Sequence, residues 1–352
     1  MQFPHVLRLT PDLFTNLRRT PWAGEQIGRT VKSKINAKFD GELIGESWEL
    51  SCDEVFLSRD NRNKPLKHII AENPIHFLGK DYISHFGEEL KLIVKLLESR
   101  MPLSFQVHPT ENFSHLKPGE SSKTESWLVL AAENGAGFYI GFRSGTTRNQ
   151  IERALDEGSG RLKDLLQFVP VKPGDYFEIA PGVPHAVGPG VLVLEPQFVN
   201  QGSGGKTYRF WDWDRTYDEK GEVDPKGKPR ELHQDSSLAL LDLEIHSGSD
   251  LLRRSKSQPE LSHYGDLTVH SFPSNAYYQL KLLTFEKNMK STIETSDGFL
   301  FVECTDGEFK IEGEVAKPGQ PFFVSAAKKQ IVVEGKGKLV IIASFATSFS
   351  FN

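Results

Sequence analysis

The sequence predicts a mainly β protein, built as tandem jelly-roll β-barrels with a small helical insertion. Three observations carry that expectation. Short apolar stretches alternate with Pro and Gly over 171–197, the chemistry of strands and turns, and 264–349 reads as many short strands. The run from Leu90 to Leu97 puts Leu90, Leu92, Val94 and Leu96 on one period-two face and Lys91, Ile93 and Lys95 on the other. Finally, Lys172-Pro173-Gly174-Asp175-Tyr176-Phe177-Glu178-Ile179 is echoed by Lys317-Pro318-Gly319-Gln320-Pro321-Phe322-Phe323-Val324 at a constant offset of 145 residues. In both copies a turn and an apolar strand follow, which is the mark of two related β-units.

Along the chain, residues 1–60 are mixed, with extended character at Ser47–Ser51. Short helices are expected over 61–88, broken by Pro65, Pro74 and Gly79. Strands follow at 90–97, 103–108 and 126–133. Thr147 with Gln150 three positions on forms a capping box for a helical segment over 147–168. Leu162, Leu165, Leu166 and Val169 continue at helical spacing until Pro170 stops it. Residues 202–205 and 217–230 read as loops, 231–242 as a short helix, 248–263 as a linker, and 264–349 as many short strands. The domain division expected is 1–263, holding both helical segments and the candidate chemistry, and 264–352, a second β-unit.

Composition excludes several classes of function. The chain of 352 residues is 38% apolar and contains 24 Phe, 8 Tyr and 5 Trp, too aromatic for a disordered protein. Its 42 Lys and Arg against 47 Asp and Glu leave a net charge of −5, so no basic excess points to nucleic acid. No apolar stretch approaches membrane-spanning length, and Met1–His5 is not the start of a secretory signal. A cytoplasmic protein is expected. Two cysteines, Cys52 and Cys304, are too few for a disulfide scaffold and do not form a paired zinc motif.

The residues with chemical potential concentrate in the first unit. In Ser104-Phe105-Gln106-Val107-His108-Pro109, alternation on a strand sets Gln106 and His108 on one face, the spacing of two ligands to one metal. Glu125 starts the next strand, and His185 sits on the tight turn Ala180–His185. Two imidazoles, a carboxylate and an amide oxygen suit zinc, with other divalent ions also admissible. Taken singly, a histidine in a Pro-rich turn is usually a hydrogen-bonded surface residue. The pair becomes a site once a β-barrel brings positions 108 and 185 together. In the internal repeat His185 falls opposite Gln330, and no histidine follows His270, so metal chemistry belongs to the first unit alone. The segment from Lys206 to Arg215 reads equally as an aromatic strand with solvated charges and as one that aims Arg209 into a cavity. Lys95 and Lys123 are further cationic candidates on flanking strands.

The combination resembles the type I phosphomannose isomerases of the cupin superfamily. Residues 45–51 (Gly-Glu-Ser-Trp-Glu-Leu-Ser), 103–109 and 123–127 (Lys-Thr-Glu-Ser-Trp) carry the likeness. So do 171–175, 182–186 (Gly-Val-Pro-His-Ala), Tyr208-Arg209 with 212–215, and 227–233 (Gly-Lys-Pro-Arg-Glu-Leu-His). They occur in family order and cover roughly residues 1–240. The resemblance implies one Zn2+ per chain held by Gln106, His108, Glu125 and His185. It implies interconversion of mannose 6-phosphate and fructose 6-phosphate through an enediol, with zinc polarising the sugar oxygens. It also implies that Arg209, Lys123, Glu195 and Lys95 are catalytic and that Ser104, Lys95 and Arg209 bind substrate, Ser104 at a position associated with phosphate. Glu195, Lys123, His185 and a zinc-bound water all remain open as the proton carrier.

The chain departs from the family pattern at Trp22-Ala23-Gly24, at Ala180-Pro181, and by extra residues around 201–205. The partner expected is a small sugar phosphate, with neither nucleic acid nor membrane, and monomer and dimer are equally open. A non-catalytic sugar-phosphate-binding metal cupin is the alternative. An iron oxygenase calls for more histidine ligands than this set offers.

Overall fold

A computed structural model describes residues 3–352 apart from Glu54, Ser159 and residues 200–204. It is mainly β, with sheets of ten, seven, five and two strands. The seven- and five-stranded sheets face each other. Trp127, Val129, Phe177, Ile179 and Val193 from the first meet Phe138, Ile140 and Val187 from the second in one buried cluster. Among the described residues, side-chain packing and not a continuous ladder joins the two sheets, so the expected barrels are present there as facing sheets and no ring closes.

Alternation explains why the seven-stranded sheet is buried on both faces. In the strand Leu92–Ser99, Leu92, Val94 and Leu96 enter a core shared with the C-terminal unit, as the sequence pattern requires. Leu97 enters the cluster between the facing sheets, and Lys95 shares its face. In the strand Val191–Val199, Leu192, Leu194 and Phe198 likewise face the C-terminal unit, where they meet Leu280, Phe301 and Ile342. The ten-stranded sheet lays one face on this layer and encloses a second core, including Leu283, Phe309 and Ile341, with the other. The strand Val6–Thr10 pairs with Phe322–Val324, so the two stretches separated by sequence share one sheet.

The two repeat copies have the same local shape. Gly174 (φ +90°) and Gly319 (φ +84°) each hold a left-handed turn position open to glycine. Asp175 N–H donates to Lys172 O and Gln320 N–H to Lys317 O, both closing the turn. The strands Tyr176–Ile179 and Phe322–Val324 follow, and His185 and Gln330 each begin the next strand.

The helices over 61–88 form as Leu66–Glu72, Pro74–Leu78 and Lys80–Phe86. The capping box of Thr147 and Gln150 opens the helix Arg148–Glu157. The helical reading to 168 is corrected: helix stops at Leu165, and Leu166–Pro170 is a strand. A register shift between Tyr139 and Phe142 of its partner buries Leu166 and Val169 at a three-residue spacing, which mimics helical periodicity. The linker over 248–263 is corrected too. It contains the helix Gly248–Ser255, anchored by buried Leu251, and the strand Glu260–Tyr264. The loop over 217–230 carries a short ladder, Thr216–Tyr217 with Lys228–Pro229. The short C-terminal strands, such as Leu267–Ser271 and Phe349–Phe351, are joined by three long ones, Tyr278–Thr295, Leu300–Ile311 and Gln330–Ser344. They bend at register shifts, where a Cβ on Gly307 would stand 2.0 Å from Lys336 O.

Candidate metal centre and cavity

Strand register assembles the site. Gln106 lies opposite His185 on one side and Arg209 on the other in the five-stranded sheet. In the facing sheet Lys95 lies opposite Glu195, and Glu125 opposite Gln197. Because positions 95, 123, 125, 127, 195 and 197 share the inner face, their side chains meet those of 106 and 185 across the sandwich. The cavity they line is about 440 Å3 and also takes in Ser104, Trp48 and Arg230. A second hollow of about 740 Å3, around Tyr217 and Lys228, shares Arg230 with it.

At the cavity floor the candidate ligand atoms of His108, Glu125 and His185 all lie within 4.8 Å of one another, and all three residues are buried. His108 Nε2 is 3.1 Å from Glu125 Oε2, and His185 Nε2 is 3.1 Å from Glu125 Oε1. Each ring turns its Nδ1 to a backbone carbonyl: Lys206 O at 3.3 Å for His108, and Val183 O at 2.8 Å for His185. The carbonyls take the ring protons, so both Nε2 atoms present lone pairs to a carboxylate. His108 is held neutral, burial and then Lys123 pushing its pKa down to about 3. Burial opposes ionisation of Glu125, yet its carboxyl is held well below the usual range, with the Lys123 ammonium 3.5 Å away the neighbouring charge that favours it. His108 Nε2 and Glu125 Oε1 are buried with no hydrogen-bond partner.

Converging buried acceptors cost about 1–3 kcal/mol each when unpaired. A divalent cation among them removes that cost: each imidazole Nε2 lies 3.1 Å from one oxygen of Glu125, and the three ligand atoms converge within 4.8 Å. The residues therefore fit a metal. Gln106 places its amide nitrogen 3.4 Å from His185 Nε2. Turning the amide over exchanges nitrogen for oxygen without moving a heavy-atom position and presents the oxygen to the same centre.

Above the floor stands a cationic rim. Lys123 Nζ is 3.5 Å from Glu125 Oε2, and Lys95 Nζ is 3.7 Å from Glu195 Oε2 and 4.3 Å above the Trp48 ring. Burial lowers the pKa of Lys123. Arg209 is half-buried; one Nη1–H donates to Glu231 O, while its Nε has no partner. Burial and Arg230 bring its guanidinium down to about 10, still charged at neutral pH. Glu195 accepts from Trp127 Nε1 at 2.9 Å. Burial, then the neighbouring Glu125, pushes its pKa up to about 7.

Of the nine residues singled out by sequence, Gln106, His185, Lys95, Lys123, Ser104, Glu195 and Arg209 line the cavity, and His108 and Glu125 lie buried beside His185. Ser104 Oγ donates to Gln106 Oε1 at 3.3 Å. Sequence reasoning passed over Gln197, Trp127, Arg19 and Arg230. Alternation from Glu195 to Gln197, and from Glu125 to Trp127, was the available signal. The inserted residues 201–204 lie outside the described residues.

Two imidazoles and a carboxylate buried between facing β-sheets, under a rim of cations, define a cupin-like metalloprotein suited to anionic ligands. A model of the type I phosphomannose isomerase catalytic domain matches residues 18–126. The chain is 30% identical to mannose-6-phosphate isomerase ManA of Bacillus subtilis (strain 168) over 234 residues, 66% of this chain and 67% of that one. It is 25% identical to a putative mannose-6-phosphate isomerase, YvyI, of the same organism over 92% of this chain and 96% of that protein. In fold it is similar to the crystal structure of mannose 6-phosphate isomerase from Bacillus subtilis, with a TM-score of 0.74 at 22% identity, covering 96% of this chain and 99% of that one. A mannose 6-phosphate isomerase structure bound with zinc and yttrium gives 0.70 at 16% identity, covering 97% and 100%. The chain belongs to the type I phosphomannose isomerase family of enzymes.

Proposed function

We propose that the enzyme interconverts mannose 6-phosphate and fructose 6-phosphate, using one zinc ion held by His108, Glu125 and His185 with the Gln106 amide. The observation that carries this reading is the convergence of His108 Nε2, His185 Nε2 and the Glu125 carboxylate, buried beneath Lys95, Lys123 and Arg209. Its support from relatives is their shared designation as mannose-6-phosphate isomerases.

Cations on the wall meet the substrate's dianionic phosphate, and Arg209 and Lys95 bind it with Ser104 supplying a neutral donor. Zinc, when bound, supplies a Lewis acid toward the sugar oxygens. Glu195 moves the carbon-bound proton: its carboxylate takes the proton from C2 and returns it to C1, while a second proton passes from O2 to O1. Charge gathers on the sugar oxygens during the transfer, and Lys123 and Arg209 face it. A carboxyl held near pKa 7 is matched to this task, since it is ionised in part and still basic. Trp127 keeps one of its oxygens fixed.

The test is turnover of mannose 6-phosphate by metal-replete protein, with and without chelator. Turnover that chelation abolishes and zinc restores is expected. No turnover in the metal-replete protein ends the reading, and tight sugar-phosphate binding without turnover replaces it with a binding role.

A further inference from the structure

We propose that Gln197 is a positioning residue that ties the metal-binding carboxylate of Glu125 to the proton-moving carboxylate of Glu195. Its amide Nε2 donates to Glu125 Oε2 at 2.8 Å and to Glu195 Oε2 at 2.9 Å. Both N–H bonds are therefore spent on carboxylates. The side chain is 1% exposed, in the strand Val191–Val199, two residues from Glu195 on the same face and directly opposite Glu125.

The amide's orientation follows from chemistry. The Glu125 carboxylate only accepts, so its Oε2 at hydrogen-bond distance requires the NH2 end, whose second hydrogen then serves Glu195. The price is visible on the other side, where Gln197 Oε1 is buried with no partner. A neutral amide that leaves its oxygen unpaired to make two charge-assisted bonds is held by those bonds. Packing alone does not call for it, because Met fills the same length without either bond.

Glu195 is then held at both oxygens, and Glu125 at Oε2. Glu125 has Oε1 toward His185 and Oε2 toward His108 and Gln197. Glu195 has Oε1 on Trp127 Nε1–H and Oε2 on Gln197 and near Lys95. Gln197 converts two independent rotors of like charge into one rigid pair, so metal position and proton-transfer position are set together. Partners of this kind typically contribute about 10–100-fold in metal affinity or activity.

This inference rests on the proposed function for the role of Glu195, and its test separates the two. Full-length Gln197→Met is compared with wild type for cobalt affinity by chelator competition, the visible spectrum of the cobalt-substituted protein, and kcat and KM for mannose 6-phosphate. Expected are an affinity loss of about 10–100-fold, shifted cobalt bands, and kcat down about tenfold or more with KM within about twofold. Wild-type affinity, spectrum and kcat in Q197M overturn the proposal. Should Q197M lose its far-UV circular dichroism, the isosteric Gln197→Glu, which replaces the donor by a third carboxylate, decides: its cobalt bands must shift, and unchanged bands overturn the proposal. A wild type that binds cobalt but does not isomerise mannose 6-phosphate refutes the function, while the cobalt comparison still decides the role of Gln197.

Discussion

Glu195 shows how one side chain's surroundings set its chemistry. Burial and the Glu125 charge raise it to about 7, and ionisation is what lets it accept a proton. The sign follows: kcat/KM should climb as pH rises through the neutral region and level off above it. Glu195→Gln, which has the same shape and no basicity, should lower kcat by about 10^2–10^4-fold. A pH profile flat between 5 and 8 would remove Glu195 from the proton path. At the proposed metal site, His108→Leu fills part of the ring's space but offers no lone pair to a cation. Zinc content after gel filtration should fall well below that of wild type, and full retention would contradict the ligand role. Gln106, His108, Glu125 and His185 were legible as candidate ligands because strand alternation and ligand chemistry are local properties of the sequence, and the structure brings the last three together. Gln197 was not, because what distinguishes it is a cross-strand partner 72 residues away.

At the scale of elements, local signals succeeded where tertiary pairing did not compete. The Thr147 capping box formed as read: Thr147 and Gln150 satisfy each other's backbone donors at the start of an exposed helix. Thr147→Ala should cost about 1 kcal/mol in urea unfolding and leave kcat unchanged, since the helix does not touch the cavity. An unchanged midpoint would mean that the cap is solvent-compensated. The next segment went the other way. Leu166 and Val169 satisfy a helical period, yet the open edge of Gly137–Phe142 captures them into a ladder whose bulge reproduces that spacing. At Gly248–Ser255 the polar composition concealed a helix whose burial depends mainly on Leu251. Propensity proposes, and the available sheet edge decides.

Across the whole molecule, a buried ionic cluster joins the metal-bearing layer to the C-terminal unit. Lys32 Nζ pairs with Glu49 Oε1 at 2.6 Å and donates to Gly319 O, and Gly319 N–H donates to Glu303 Oε1 at 2.9 Å. Two carboxyls share one ammonium there. Burial, reinforced by Glu49 and offset by Lys32, holds Glu303 well above the usual carboxylate range. A carboxyl raised in the folded state adds stability that is complete below its unfolded pKa and is lost as pH rises through the folded value. Glu303→Gln, which needs no ionisation, should therefore gain stability relative to wild type between pH 5 and pH 8. Parallel urea midpoints across that range would show that Glu303 does not titrate with folding. Gly319 belongs to the second copy of the repeat, so the motif that revealed two β-units also supplies their contact. By itself the sequence determined the β class, the repeat and which residues are candidates for metal and anion binding, because periodicity and ligand chemistry reside in neighbouring positions. Only the tertiary structure decided that the sheets face without closing, that the first strand joins the C-terminal sheet, and that Gln197 links two carboxylates. Those outcomes depend on which distant strands pair and in which register, and a one-residue slip would have turned every one of these side chains to the other face.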